Sequence, residues 1–280
     1  MTPMGVRRIV LCADDYGLSP GVNAAIRSLI ARGRLNATSA MVVARALTQT
    51  EAAALAALKR ETPRLQIGLH FTLTAPFAPL TAGYAPLDSG AFLPLAATLG
   101  RAIFGRLDES KIVTELQTQI EAFVAAFGFA PDYVDGHQHV QVFPQVRDAV
   151  LAVMRDALPG AWVRQCGRAT PLWARFGDRK ALLLDRLSAG FRKRSAAAGV
   201  PFNPGFAGTY AFRGAADFSG LFPRFLDGLP DGGVVMCHPG FVDDALKALD
   251  PLTDLREREY EFFASDAFPA LLHQNRVTLS

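Results

Sequence analysis

Residues 7–15 read R-R-I-V-L-C-A-D-D. Five apolar residues in a row run directly into two carboxylates, with no apolar/polar alternation. A strand that is apolar on both faces suits a parallel sheet covered on both sides. The next segment reads as a helix over 20–32. Ser19 is placed to cap it, Pro20 takes the first helical position and Gly33 lies just past the end.

The same succession repeats along the chain. Short apolar runs at 36–43, 66–69, 132–135, 161–165, 233–237 and 276–279 read as strands, with a weaker one at 206–209. Helices are predicted over 49–60, 109–127 and 144–157. Seven or eight β/α units result, which makes the chain α/β, either doubly wound or a barrel. A length of 280 residues is ordinary for one such domain, and no repeat or linker divides it. A single domain over 1–280 is therefore expected. Residues 74–106 stand apart, punctuated by Pro76, Pro79, Pro86, Pro94, Gly83, Gly90, Gly100 and Gly105. Excursions that long serve as lids or binding loops, and a lid is expected here.

Composition narrows the function classes. Half of the residues are hydrophobic and 20% are charged, which excludes intrinsic disorder. The net charge of +3 is small and the basic residues are scattered, so nucleic acid is not the expected partner. The one basic cluster, F-R-K-R at 191–194, reads as a solvated helix face. Three cysteines without C-x-x-C spacing suit a reducing compartment. They read as packing residues. The apolar run at the start is too short for a signal peptide, and no stretch reaches the roughly 20 apolar residues of a membrane helix. A cytoplasmic protein with no membrane span is expected.

The chemistry-bearing residues recur in one kind of place. Asp14 and Asp15 follow I-V-L-C-A, His70 follows Q-I-G-L, and His238 follows V-V-M-C. Asp135, His137 and His139 follow D-Y-V, in D-G-H-Q-H. In a parallel sheet the C-terminal strand ends lie on one rim, where ligands bind. Four of the five histidines fall there, all but His273. Each residue alone has a structural explanation as a cap or turn residue, but four strand ends carrying such groups together point to a site. Two imidazoles and a carboxylate suit a catalytic divalent ion, which acidifies water and polarises a carbonyl. Strand parity lets Asp135, His137 and His139 project the same way, which leaves open which imidazoles ligate. Arg164 follows the fifth strand and either faces the cleft, to bind a substrate hydroxyl or carboxylate, or forms a surface salt bridge. No G-x-G-x-x-G or G-x-x-x-x-G-K-[ST] occurs, so nucleotide-dependent chemistry is poorly supported. The one G-x-S-x-G, G-L-S-P-G at 17–21, holds Ser19, which is already placed as a helix cap, so serine hydrolysis is poorly supported too.

Four motifs carry a resemblance. A-D-D-Y-G-L-S-P-G at 13–21, G-L-H-F-T-L-T at 68–74, V-D-G-H-Q-H-V-Q-V-F-P at 134–144 and C-H-P-G-F-V-D-D at 237–244 resemble the YdjC-like (ChbG/HpnK) carbohydrate deacetylases in order and spacing. The resemblance implies a (β/α) barrel-like fold and a divalent metal, magnesium or alternatively zinc. It implies an acetylated amino sugar as substrate and, since relatives are often dimers, a homodimer. Carried over, Asp15, His70 and His137 match the metal ligands, Asp14 the general base and His238 the general acid. His139, Asp135 and Arg164 are then expected on the substrate side. Many relatives carry a histidine where this chain has Gln141, a difference that bears on sugar specificity. Two rival readings accompany this one: another metal hydrolase such as a phosphoesterase, and a non-catalytic sugar-binding or scaffold protein.

Overall fold

The structure is a computed structural model that describes residues 5–169, 179–210 and 217–279. Its strands are β1 (Arg7–Tyr16), β2 (Ala37–Ala40), β3 (Gln66–Phe71), β4 (Leu87–Asp88), β5 (Ala91–Phe92), β6 (Tyr133–Gly136), β7 (Trp162–Val163), β8 (Phe206–Ala207), β9 (Gly233–Cys237) and β10 (Val277–Leu279). The helices are α1 (Pro20–Ala31), α2 (Gln49–Glu61), α3 (Leu95–Ile103), α4 (Glu109–Phe127), α5 (Val146–Ala157), α6 (Arg179–Ala198), α7 (Phe218–Leu226), α8 (Asp244–Leu249), α9 (Asp254–Ala264) and α10 (Ala267–Gln274).

Eight strands form one sheet in the order β7-β6-β3-β2-β1-β9-β8, with β10 beside the first half of β1. All of its strand pairs are parallel. An isolated parallel bridge joins Arg168, just past β7, to Phe206 of β8, so the two edges of the sheet meet. The strand succession implies α/β, doubly wound or barrel, and the barrel-like form that the family resemblance implies is the one observed. The sheet is buried on both faces: Ile9 to Tyr16 of β1 and all five residues of β9 are buried. The unbroken apolar character of residues 9–13 and 233–237 follows from that double cover.

Local signals explain the elements. The Ser19 hydroxyl accepts the Val22 N–H at 3.2 Å, and Pro20 opens α1. Asp108 caps α4 by accepting from Ser110 and Lys111, and Gly128 ends it in the left-handed conformation. Residues 74–106 hold more structure than their punctuation suggests. They contain the antiparallel β4–β5 pair and α3. The buried Glu115 carboxylate on α4 accepts the N–H groups of Leu80 and Thr81 at 3.0 and 2.8 Å and ties the excursion down. The 191–194 cluster lies on α6, with Phe191 buried and Lys193 and Arg194 exposed. Among the described residues no helix is long and apolar enough to cross a membrane.

Close packing across strands sets one firm constraint. A Cβ on Gly68 of β3 would stand 2.3 Å from the Tyr133 ring. That ring stacks on Trp162 at 4.4 Å, and its hydroxyl bonds Cys12 and Ser39, so it has little freedom to retreat. Gly68→Ala is expected to destabilise the fold by about 1–3 kcal/mol, the usual cost of overpacking. A denaturant midpoint unchanged from wild type would contradict this packing.

Candidate active site

The parallel order brings the ends of β1, β3, β6 and β9 to one rim, with Asp14, Asp15, His70, Asp135 and His238 on or beside them. Asp14 and Asp15 are neighbours that serve different clusters. Asp15 has φ +69, in the left-handed region that aspartate tolerates better than most residues, and the β1–β2 register shifts there. This local turn sends the two carboxylates apart.

Asp15 enters a cluster with two imidazoles. Its Oδ1 lies 3.0 Å from His137 Nδ1 and 3.3 Å from His70 Nε2. These three donor atoms all lie within 4.8 Å of one another. Donors on one ion at about 2.1 Å stand roughly 3.0–3.4 Å apart, so this group fits a metal site. The other oxygen, Asp15 Oδ2, accepts from Arg256 Nη2 at 2.6 Å. His70 Nδ1 faces Asp135 Oδ1 at 2.6 Å, which fixes the ring with Nε2 toward the cluster.

Asp14 enters a second cluster. Arg164 donates from Nη1 to Asp14 Oδ2 at 2.7 Å and from Nη2 to Asp14 Oδ1 at 2.8 Å, a two-pronged pairing. Arg164 Nη2 also lies 2.6 Å from Asp135 Oδ2 and 2.9 Å from Cys12 Sγ. Cys12, Asp14 and Asp135 converge as a second donor group, but the guanidinium already supplies their cation. The Ser39 hydroxyl donates to Asp135 Oδ2 at 2.5 Å.

The predicted residues thus separate. Asp15, His70 and His137 come together. Asp135 and Arg164, expected on the substrate side, have no exposed surface and bond each other behind the rim. The surface salt bridge envisaged for Arg164 is instead a buried one. His139 lies outside the three-donor group, with Nδ1 3.5 Å from Cys166 Sγ and its ring edge-on to Phe206. The parity that linked Asp135, His137 and His139 stops at Gly136. A 3-10 segment, His137–Val142, follows with left-handed backbone at Gln138 and His139. His238 directly follows β9, and its N–H donates to Glu259 Oε2 at 2.5 Å. Phe77, early in the 74–106 excursion, meets the His137 ring edge-on at 5.7 Å. All three cysteines are buried, Cys12 on β1, Cys237 on β9 and Cys166 just past β7.

Sequence reasoning passed over Ser39, Arg256 and Glu259. Ser39 is one of several small residues in β2. Arg256 and Glu259 sit within a charge run that reads as a solvated face. The distinguishing signal, burial of two charges, exists only in three dimensions.

The electrostatics follow from burial and pairing. Burial alone would raise the Asp14 carboxyl, but Arg164 and His70 outweigh it and hold it at about 2. Burial opposes ionisation of Asp15 too, and Arg256 with the two imidazoles keeps it well below the carboxylate range. Burial disfavours the His70 imidazolium, yet Asp135, Asp15 and Asp14 together push it up to about 10. His139 is pushed down to about 3 by burial and then by Arg164, so its ring is neutral near pH 7.

The fold and site define a parallel α/β barrel-like protein with a buried aspartate–histidine cluster on its strand-end rim. The chain belongs to the YdjC-like family, whose pattern matches residues 8–274. A chitooligosaccharide deacetylase from Citrobacter koseri is 30% identical over 251 residues, covering 86% of this chain and 84% of the relative. One from Klebsiella pneumoniae is 31% identical over 247 residues, covering 85% and 83%. A crystal structure from Enterococcus faecalis, of a protein named for a suggested role in cellobiose-phosphate cleavage, shares the fold. It has a TM-score of 0.72 at 20% identity and covers 98% of this chain and 97% of that one.

These shifts set the pH dependence of stability in the metal-free protein. Asp14 titrates below its usual 3.8, so its contribution is present above about pH 4 and lost as pH falls through about 2. His70 titrates above its usual 6.5, so its contribution is complete below that value and lost as pH rises through about 10. With chelator present, the melting temperature of wild type should decline on both flanks. His70→Asn should flatten the alkaline decline relative to wild type. Parallel alkaline limbs in the two proteins would contradict this account of His70.

Proposed function

We propose that this chain is a metal-dependent N-deacetylase that removes the acetyl group from an acetylated amino sugar of the chitooligosaccharide kind. The observation that carries it is the convergence of Asp15, His70 and His137 beside an ionised Asp14. The relatives named chitooligosaccharide deacetylases, at 30–31% identity over most of the chain, support the substrate class. Arg164 and Arg256 both face carboxylates, which favours an amide over a phosphate ester as substrate.

Asp15, His70 and His137 would hold the ion. A divalent ion bound there supplies a polarised acetamide carbonyl and a more acidic water. The family resemblance implies magnesium, whereas two imidazoles suit zinc and related ions better, and titration with both decides. Asp14 accepts a proton from the attacking water as the oxygen bonds to the carbonyl carbon. Arg164 keeps Asp14 ionised at working pH and fixes its plane. The same guanidinium holds Asp135, which holds His70 with Nε2 toward the ion. His238 delivers a proton to the sugar nitrogen as the C–N bond breaks. Acetate and a free amino sugar leave.

Residues 74–106 serve in this reading as a wall or lid, anchored by Glu115 at one end and reaching the site through Phe77. Bound acetylated chitooligosaccharide should protect this stretch from limited proteolysis, and equal cutting with and without sugar would refute a lid.

Asp14 and Asp15 should fail differently. Asp14→Asn retains an acceptor oxygen but cannot take a proton. Turnover per folded, metal-loaded molecule should fall by about 10²–10⁴-fold while metal content persists. Asp15→Asn should lose metal affinity, and excess metal should restore part of the rate. Metal content and acetate release across a metal titration provide the test. Near-full activity in Asp14→Asn with metal bound would remove Asp14 from the mechanism, and the opposite pattern of metal loss would exchange the two roles.

A further inference from the structure

Helix α9 has the sequence D-L-R-E-R-E-Y-E-F-F-A and carries six charged residues. Asp254, Glu257, Arg258 and Glu261 are exposed, as a solvated face requires. Arg256 and Glu259 instead lie on the buried face with Leu255, Phe262 and Phe263. Burying a charge is costly unless it is matched, so an apolar pair would serve packing better. Both charges are spent on the rim. Arg256 Nη2 donates to Asp15 Oδ2 and to Asp250 Oδ2, each at 2.6 Å. Glu259 accepts the His238 N–H at 2.5 Å on Oε2 and the Tyr210 hydroxyl at 2.6 Å on Oε1. A further tie runs the same way as the His238–Glu259 bond: the Gly240 N–H donates to the Arg256 carbonyl at 3.1 Å. One turn of one helix therefore holds the end of β1 and the loop after β9.

We infer that Arg256 and Glu259 are positioning residues, which set the metal-ligating carboxylate of Asp15 and the loop bearing His238 at a fixed separation. This rests on the proposed metal site. Because Arg256 occupies Oδ2, Asp15 presents Oδ1 alone to the two imidazoles. Because Glu259 and the Arg256 carbonyl hold two N–H groups of the His238–Gly240 loop, the point from which His238 projects is fixed. Neither residue is assigned contact with substrate.

The test uses Arg256→Lys and Glu259→Gln in the full chain. Lysine keeps the charge but is shorter and loses the Nε–H that donates to the Leu252 carbonyl at 3.1 Å, so nothing anchors its ammonium where Nη2 sits between the two carboxylates. Glutamine keeps the shape of Glu259 with a weaker acceptor. Zinc and manganese affinities are measured calorimetrically without substrate. Hydrogen exchange of residues 238–240 is followed in the metal-free protein, and kcat, KM and the melting midpoint complete the set. Arg256→Lys should weaken metal binding by about 10–100-fold, the usual effect of losing an outer hydrogen bond to a ligand. Saturating metal should return most of its kcat. Glu259→Gln should leave metal affinity within about two-fold of wild type, speed exchange at 238–240 at least tenfold and lower kcat with KM little changed. A wild-type metal affinity in Arg256→Lys, or wild-type exchange in Glu259→Gln, overturns the inference. So does a parallel loss of all properties that only tracks the melting midpoint. Wild type that binds metal but releases no acetate refutes the proposed reaction while the calorimetric and exchange results still judge the positioning roles. Wild type that binds neither ion overturns both.

Discussion

A buried carboxylate needs a matching cation or donor, and that requirement organises the whole rim. Asp14 pairs with Arg164, Arg164 with Asp135, Asp135 with His70, His70 with Asp15, Asp15 with Arg256 and Arg256 with Asp250. The chain of alternating charge crosses β1, β3, β6, the segment after β7 and α9. Removing any interior member takes one partner from the buried charge on each side of it. The geometry of the Asp15–His70–His137 group therefore depends on residues that never reach it, Arg164 above all.

The same chain sets the balance of the proposed chemistry. Arg164 leaves Asp14 ionised near neutral pH but a weak base, held at about 2. Such a group takes a proton only as the water's oxygen bonds to carbon, when that proton has become strongly acidic. Asp135 does the opposite to His70 and favours its charged form. A divalent ion that takes His70 Nε2 as a ligand must displace that proton, so occupancy of the site and proton release are linked.

Much of this was legible in the sequence because it depends on periodicity and on strand ends. Unbroken apolar runs such as 9–13 and 233–237 announce doubly covered parallel strands, and parallel strands force Asp14, His70, Asp135 and His238 onto one side. The helix expected over 109–127 is observed with those bounds, capped by Asp108 and ended by Gly128. What was not legible depends on contacts distant in sequence. Asp135 and Arg164 carry the residue types of a substrate cleft, but their pairing across β6 and β7 seals them behind it. The D-G-H-Q-H stretch reads as continuing strand, yet the backbone turns left-handed at Gln138 and His139, so alternation could not sort its histidines. Arg256 and Glu259 are masked by the charged neighbours that surround them in α9.

The central claim, that the rim cluster is a metal-dependent deacetylation site, is tested most directly on chelator-stripped protein. Acetate release from N-acetylated chitooligosaccharides is measured before and after a divalent ion is returned. The account predicts no release from stripped protein, recovery at one ion per chain, and no recovery in a His70→Ala, His137→Ala double variant that remains folded. Full acetate release by stripped protein, or recovery in the double variant equal to wild type, would contradict it.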